Sequence, residues 1–182
     1  MADRAQQITA AARELLDTEG PDALSMRRIA ERVGIRAPSL YKHFPDKGAV
    51  EAALQAQGMA QLAQELEAAE AEIGVEPPLF ALARAYRRHA LANPHLYRIT
   101  HTRPLARTAL PEGLEDRAAM PLVRAAHGDI DIARSIWAFA HGMVVLELDG
   151  RFPPGADLDA AWHTGYEAFA QAIHDKTRRD TA

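Results

Sequence analysis

Cysteine is missing from the chain altogether. Its absence rules out a disulfide framework, a thiolate metal site of the zinc-finger kind and a cysteine nucleophile. Missing too is any uninterrupted run of about 18 apolar residues, the length a membrane-spanning helix needs. Met1-Ala2-Asp3-Arg4-Ala5-Gln6-Gln7 holds no apolar stretch of the kind found in a secretory leader. The expectation is a cytoplasmic protein with no membrane partner. There is no strand pattern, no internal repeat, no Gly-x-Ser-x-Gly elbow and no glycine-rich phosphate loop. Histidines recur six apart at His89, His95 and His101, and His163 with Glu167 stands at i, i+4, a spacing that can set two ligands on one helix face. Neither set completes a metal site. No catalytic residue, metal or cofactor is therefore expected, and the enzymatic alternative is a histidine-carboxylate helical metalloenzyme.

Lysine is scarce: only Lys42, Lys47 and Lys176 among 21 basic residues, the rest being arginine. What is present is a chain of 182 residues with 48% hydrophobic content, long enough to bury a sizeable core. The net charge of −4 hides an asymmetry. Residues 20–47 hold six cations against three anions, whereas residues 51–182 hold 13 cations against 18 anions. A locally basic head on an acidic body suits nucleic-acid binding through one end of the molecule.

Apolar spacing predicts helices throughout. Ile8, Ala12, Leu15 and Leu16 mark a first helix that stops at Gly20-Pro21, and a second runs from Ser25 to Val33 before Gly34. A short third helix, Ala37 to Phe44, opens with Pro38 where a missing N–H does no harm. After Pro45-Asp46 a long helix is expected to about Ile73, ended by Gly74. Further helices are expected over Leu79–Ala90, around Leu96–Ile99, over Leu114–Ala126 with an irregularity at Pro121, over 132–148 and over 158–176.

The helix starts of the head are unusual. The first turn of a helix favours negative charge, yet Arg27 and Arg28 follow the cap Ser25, Arg36 precedes Ala37-Pro38, and Lys47 follows Asp46. A bound phosphate turns that cost into a gain. The second and third helices, joined through Gly34-Ile35-Arg36, form a candidate helix-turn-helix, whose second helix enters the major groove. Arg36, Ala37, Pro38 and Ser39 then face bases or adjacent phosphates, with Tyr41, Lys42 and His43 towards the backbone. Phe44 packs the head. His43 suits either a phosphate contact or a local packing or capping role.

Ser25, Ile29-Ala30, Val33-Gly34-Ile35, Leu40-Tyr41-Lys42-His43-Phe44 and Lys47 together resemble the DNA-binding signature of TetR-type (tetracycline-repressor-like) transcriptional regulators. Trp137 with His141-Gly142, Leu146-Glu147-Leu148 and Gly150-Arg151-Phe152 resembles the C-terminal sensing domain called WHG in some members. The resemblance implies an all-helical homodimer: a helix-turn-helix head binds a palindromic double-stranded operator, and a small-molecule effector in the C-terminal bundle releases it. The expected division is 1–47 for DNA binding and 48–182 for ligand binding and dimerisation. One departure stands out. Members commonly have Ser or Thr as the cap where this chain has Arg36, and arginine caps poorly, so Arg36 is free to point at DNA. The alternative outside the enzymes is a DNA-binding regulator or architectural factor without a sensor.

In the body, 12 of the 17 residues from 132 to 148 are apolar, the mark of a helix covered on more than one side. That segment and 158–176 are expected to pair across a two-fold axis, with Gly142 and Gly165 allowing close approach and Val145, Trp162 and Phe169 in the seam. Tyr86, His89, Tyr97, His101, Trp137 and His141 combine aromatic and polar chemistry and are the candidate effector contacts. They suit a mostly apolar compound with one or two polar groups.

Overall fold

The computed structural model describes residues 3–72 and 77–180. Its helices are α1 (Arg4–Glu19), α2 (Met26–Val33), α3 (Ala37–Leu40), α4 (Lys47–Ala71), α5 (Pro78–Ala92), α6 (Pro94–His101), α7 (Leu114–Ala125), α8 (Ile130–Leu148) and α9 (Leu158–Asp180), and no strand occurs among the described residues. The end of the long helix expected at Ile73-Gly74 lies outside them.

Two compact units emerge. The first comprises Met1–Gln61 with Asn93–Glu115, the second Leu62–Ala92 with Asp116–Ala182, so α4 contributes residues to both. In the first unit the apolar positions of α1 (Ile8, Ala12, Leu15, Leu16) close on Ile29 and Ala30 of α2, Leu40 of α3, and Val50 and Leu54 of α4. Leu96 and Ile99 of α6 belong to the same core, though more than 40 residues separate them from the start of α4. The approach of α6 depends on Gly58: a Cβ there would press into the Thr100 hydroxyl and stand 3.1 Å from Leu96.

Polar bonds complete this unit. Buried Gln55 donates from Nε2 to the carbonyls of Ile99 and Pro104, both at 3.1 Å, and its Oε1 accepts from the Ala106 amide at 3.1 Å. Every polar atom of a buried amide is thereby satisfied, and the segment after α6 is laced to α4. Arg13 donates to Asp17 at 2.6 Å, to Gln61 of α4 at 3.0 Å and to Asn93, the residue before α6, at 2.6 Å.

In the second unit α5, α8 and α9 pack around Leu82, Tyr86 and Ala90, Ile136, Ala140 and Val144, and Trp162, Tyr166 and Ile173. The Phe139 ring meets Trp162 and Tyr166 edge-on at 5.9 and 5.6 Å. Arg87 of α5 forks onto Glu147 of α8 at 2.8 and 3.0 Å, reaches Asp159 of α9 and lies 5.6 Å over the Trp162 ring. The distal half of α4 is stitched to α7 by two bidentate pairs, Arg117 on Glu67 and Arg124 on Glu70, each bond 2.6 or 2.7 Å long. These hydrogen bonds hold both glutamate carboxyls below their ordinary range. Pro121 sits inside α7, and the helix continues through it.

Candidate nucleic-acid interface

The head of the first unit is built by caps. The Ser25 hydroxyl accepts from the Arg28 amide at 3.3 Å and starts α2. Gly34 ends it in the left-handed conformation, φ 71° and ψ 33°, while the Ile35 amide returns to the Ala30 carbonyl at 3.0 Å. That closure is the glycine-dependent helix stop, and it aims the chain into α3. Arg36 occupies the cap position of α3 in extended backbone and makes no side-chain capping bond, leaving its guanidinium unspent on the helix.

Regular α-helix covers only Ala37–Leu40, shorter than the expected run to Phe44. The reason is local: the amides of His43 and Phe44 both turn onto the Leu40 carbonyl, at 2.9 and 3.0 Å, and Pro45 restricts the residue before it. Leu40 is the buried side chain of α3. Around it Arg36, Pro38, Ser39, Lys42 and His43 are exposed, Tyr41 is 51% exposed, and Ala37 is half-buried. Phe44 packs against the core, as the sequence suggests.

Not every cation of the head remains on offer. Arg28 pairs with Glu19 at 2.6 Å and Arg32 with Glu14 and Glu19, tying α2 to α1, whereas Arg27 keeps its side chain 84% exposed, 3.4 Å from Glu31. The Asp46 carboxylate accepts from the Ala49 amide at 2.8 Å and so caps α4, and Lys47, the first residue of that helix, lies 3.6 Å from Glu51. Ser25, Arg27, Arg36 to Ser39, Tyr41 to His43 and Lys47 thus all belong to one unit, on or beside α2, α3 and the start of α4.

The candidate effector residues divide. Tyr97 and His101 stack at 4.4 Å in the first unit. Tyr86 and His89 are buried in the second, where His89 Nδ1 lies 2.8 Å from Glu65 Oε1. Trp137 and His141 turn away from the buried face of α8: the Trp137 indole is half exposed, and the His141 ring is 6.3 Å from it. Partial burial holds the His141 imidazole neutral to lower pH than an ordinary histidine. A groove of about 390 Å³ in the second unit lies at the α7–α8 turn against α9, lined by His127, Asp129, Ile130, Ile173, Lys176 and Thr177 among others, away from all six candidates.

Two residues expected in a dimer seam pack inside the subunit. Trp162 is buried among Arg87, Glu147 and the Phe139 ring. A Cβ on Gly165 would stand 2.7 Å from Phe139 Cε1, so that glycine serves the packing of α8 on α9 of its own chain. Gly142, in contrast, faces open space, Val145 and Phe169 are half-buried, and Trp137 and Leu146 are exposed. The sequence alone could not separate these faces, because aromatic and glycine positions look alike on either side of a helix.

Among the described residues no group of three or more His, Asp or Glu side chains is placed to hold a metal ion, and no helix is long and apolar enough to cross a membrane. His163 and Glu167 form an exposed pair at 3.0 Å.

Comparison with known proteins supplies the family. The profile described as "Bacterial regulatory proteins, tetR family" matches residues 8–54, and "Tetracyclin repressor-like, C-terminal domain" matches residues 79–169. An uncharacterised HTH-type transcriptional regulator, YobS of Bacillus subtilis, is 30% identical over 92 residues, covering 50% of this chain and 48% of that one. The chain thus spans about half the length of the relative it matches there. A Rhodococcus sp. RHA1 structure of unknown function superposes with a TM-score of 0.74 at 27% identity, covering 94% and 96% of the two chains. A minocycline complex of an Acinetobacter baumannii TetR variant has a TM-score of 0.67 at 25% identity and covers 98% of each. With its head and body both matched, the chain belongs to the TetR family of bacterial transcriptional regulators.

Proposed function

We propose that this chain is a repressor that binds a palindromic operator as a homodimer and lets it go when a small molecule enters the C-terminal half. The observation that carries the reading is α3: one buried anchor, Leu40, presents Arg36, Ser39, Tyr41, Lys42 and His43 outward on a turn fixed by Gly34. Arg36 and Ser39 supply direct base readout, Ala37 and Pro38 apolar contact with thymine methyls, and Ser25, Arg27, Tyr41, Lys42, His43 and Lys47 the phosphate contacts that fix register. Half-sites then lie about one helical turn, or a multiple of it, apart.

Dimerisation is supported by the outward face of α8. Leu146 remains exposed there, and α9 exposes the small residues Ala161, Ala168 and Ala172, which permit close helix approach. Val145, Phe169 and Gly142 complete this seam. Effector sensing is supported by the placement of α6 within the core of the head, since a compound that moves Tyr97 or His101 moves the base on which α3 stands. Release requires tighter binding to the DNA-free arrangement, and a tenfold loss of operator affinity needs about 1.4 kcal/mol of such coupling. The fold neighbour holding minocycline is a small-molecule complex on a similar fold.

The test is footprinting of the DNA flanking the gene, followed by a panel of apolar compounds carrying one or two polar groups. A protected two-fold sequence released by one compound supports the whole reading. Protection that no compound relieves favours a regulator without a sensor, and an absence of protection contradicts operator binding.

A further inference from the structure

Glu51 stands one turn after Lys47 on α4, and its two carboxylate oxygens are divided between two cations. Oε1 lies 3.6 Å from the Lys47 ammonium, and Oε2 accepts from Arg103 Nη1 at 2.8 Å. The carboxylate is 18% exposed, whereas Lys47 and Arg103 are both more than 40% exposed. Arg103 is not placed at random. It follows α6 by two residues, in the segment that Gln55 holds through Ile99, Pro104 and Ala106, and Gln55 is one turn beyond Glu51 on the same helix.

We propose that Arg103 is a positioning residue for DNA binding that acts without touching DNA: by occupying Glu51, it leaves the Lys47 charge available to a phosphate. A carboxylate 3.6 Å from an ammonium competes with any incoming phosphate for that ammonium and repels the phosphate itself. The Arg103 guanidinium partly compensates the carboxylate and weakens both effects. Because Arg103 is fixed through the end of α6, displacement of α6 withdraws it from Glu51, and Lys47 is then drawn back to its own helix. An event at the Tyr97–His101 pair thereby reaches a phosphate contact through three charges within one unit. This inference rests on the reading of Lys47 as a phosphate contact.

The experiment measures binding of the full-length protein to a fluorescently labelled mixed-sequence duplex over a salt series, which isolates the electrostatic part of affinity without a known operator. Arg103→Gln is expected to weaken binding about threefold and to flatten the slope of log affinity against log salt by up to about one phosphate contact. Glu51→Gln is expected to strengthen binding, Arg103→Lys to retain most of it, and Arg103→Gln to have no effect once Glu51→Gln is present. Thermal midpoints of all variants should stay together, since surface pairs contribute little to stability. If Lys47→Ala leaves affinity and slope unchanged, the phosphate role of Lys47 fails and this inference with it. If Lys47→Ala weakens binding while Arg103→Gln does not, the inference alone is overturned. It is equally overturned if Arg103→Gln costs as much in the Glu51→Gln background, because Arg103 is then itself on the DNA.

Discussion

The two units of the chain spend the same residue types in opposite ways. The first has eleven basic residues against ten acidic ones and the second ten against fifteen, and both commit arginines to their own structure, Arg13, Arg28, Arg32 and Arg103 in the first. Arg87, Arg117 and Arg124 all fork onto carboxylates between helices, while Arg27, Arg36 and Lys42 of the first unit stay on its surface. Apolar residues show the reverse. The core of the first unit closes around Leu40 and Ile29, whereas the second leaves Ile130, Trp137 and Leu146 at or above 43% exposure. Unspent charge calls for a partner of opposite charge, and unspent apolar surface calls for a partner that is apolar too. The contrast is the physical reason for proposing DNA as the partner of one unit and a second copy of the chain as the partner of the other.

The largest effect expected is on the apolar face. Val145→Arg or Phe169→Arg places an unpaired charge in the proposed seam, a cost of several kcal/mol per site, and should give monomers by light scattering. Such monomers should keep their helical content but lose binding to a full two-fold site. A wild-type protein that is itself monomeric at micromolar concentration removes the seam. Next in size is the glycine contrast: Gly165→Ala drives a Cβ into the Phe139 ring and should cost about 1–3 kcal/mol of stability in denaturant titration. Gly142→Ala meets nothing within the subunit, so it should stabilise α8 by up to about 1 kcal/mol and show its cost only in the dimer dissociation constant.

Much of the fold was legible in the sequence because helix punctuation is local. Gly20-Pro21, Gly34 and Pro45-Asp46 are all read from neighbours in the chain, and α1, α2 and α4 end or begin at those marks. The head's surface residues were legible for the same reason, since they flank a turn whose anchors are Leu40 and Gly34. The membership of α6 in the head core was not, because the contacts between α1 and α6 cross about half the chain. Nor was the Arg103–Glu51 bond, which joins residues 52 positions apart. A dimer face and a core face of one helix carry similar residues, and for that reason the intrachain packing of Trp162 and Gly165 was not legible.

A smaller effect sharpens the charged side of the comparison. Lys47→Ala should lower affinity for all duplexes severalfold and reduce the salt slope by about one, whereas Arg36→Ala or Ser39→Ala should also alter sequence preference. Equal losses on every sequence for all three variants would move Arg36 and Ser39 to the phosphates.

The smallest effect concerns the stitches of the second unit. Glu67 and Glu70 are held below the ordinary glutamate range by Arg117 and Arg124, so they bind protons less readily folded than unfolded. Their contribution is fully present above the unfolded value and is lost as pH falls through the lower folded value. Chemical denaturation between neutral and mildly acid pH should show a shallow fall in stability only at the acid end, and Glu67→Gln with Glu70→Gln should flatten it. An unchanged profile in that double variant would show that the two pairs carry no linkage.

Readout of a two-fold DNA sequence by the exposed residues of α3 is tested most directly by selecting duplexes from a randomised pool with the purified wild-type protein and with Arg36→Ala. The expected result is enrichment of an inverted repeat by the wild type and a changed or relaxed base at symmetric positions of both half-sites for the variant. Enrichment of no sequence, or of the same sequence by both proteins, would contradict it.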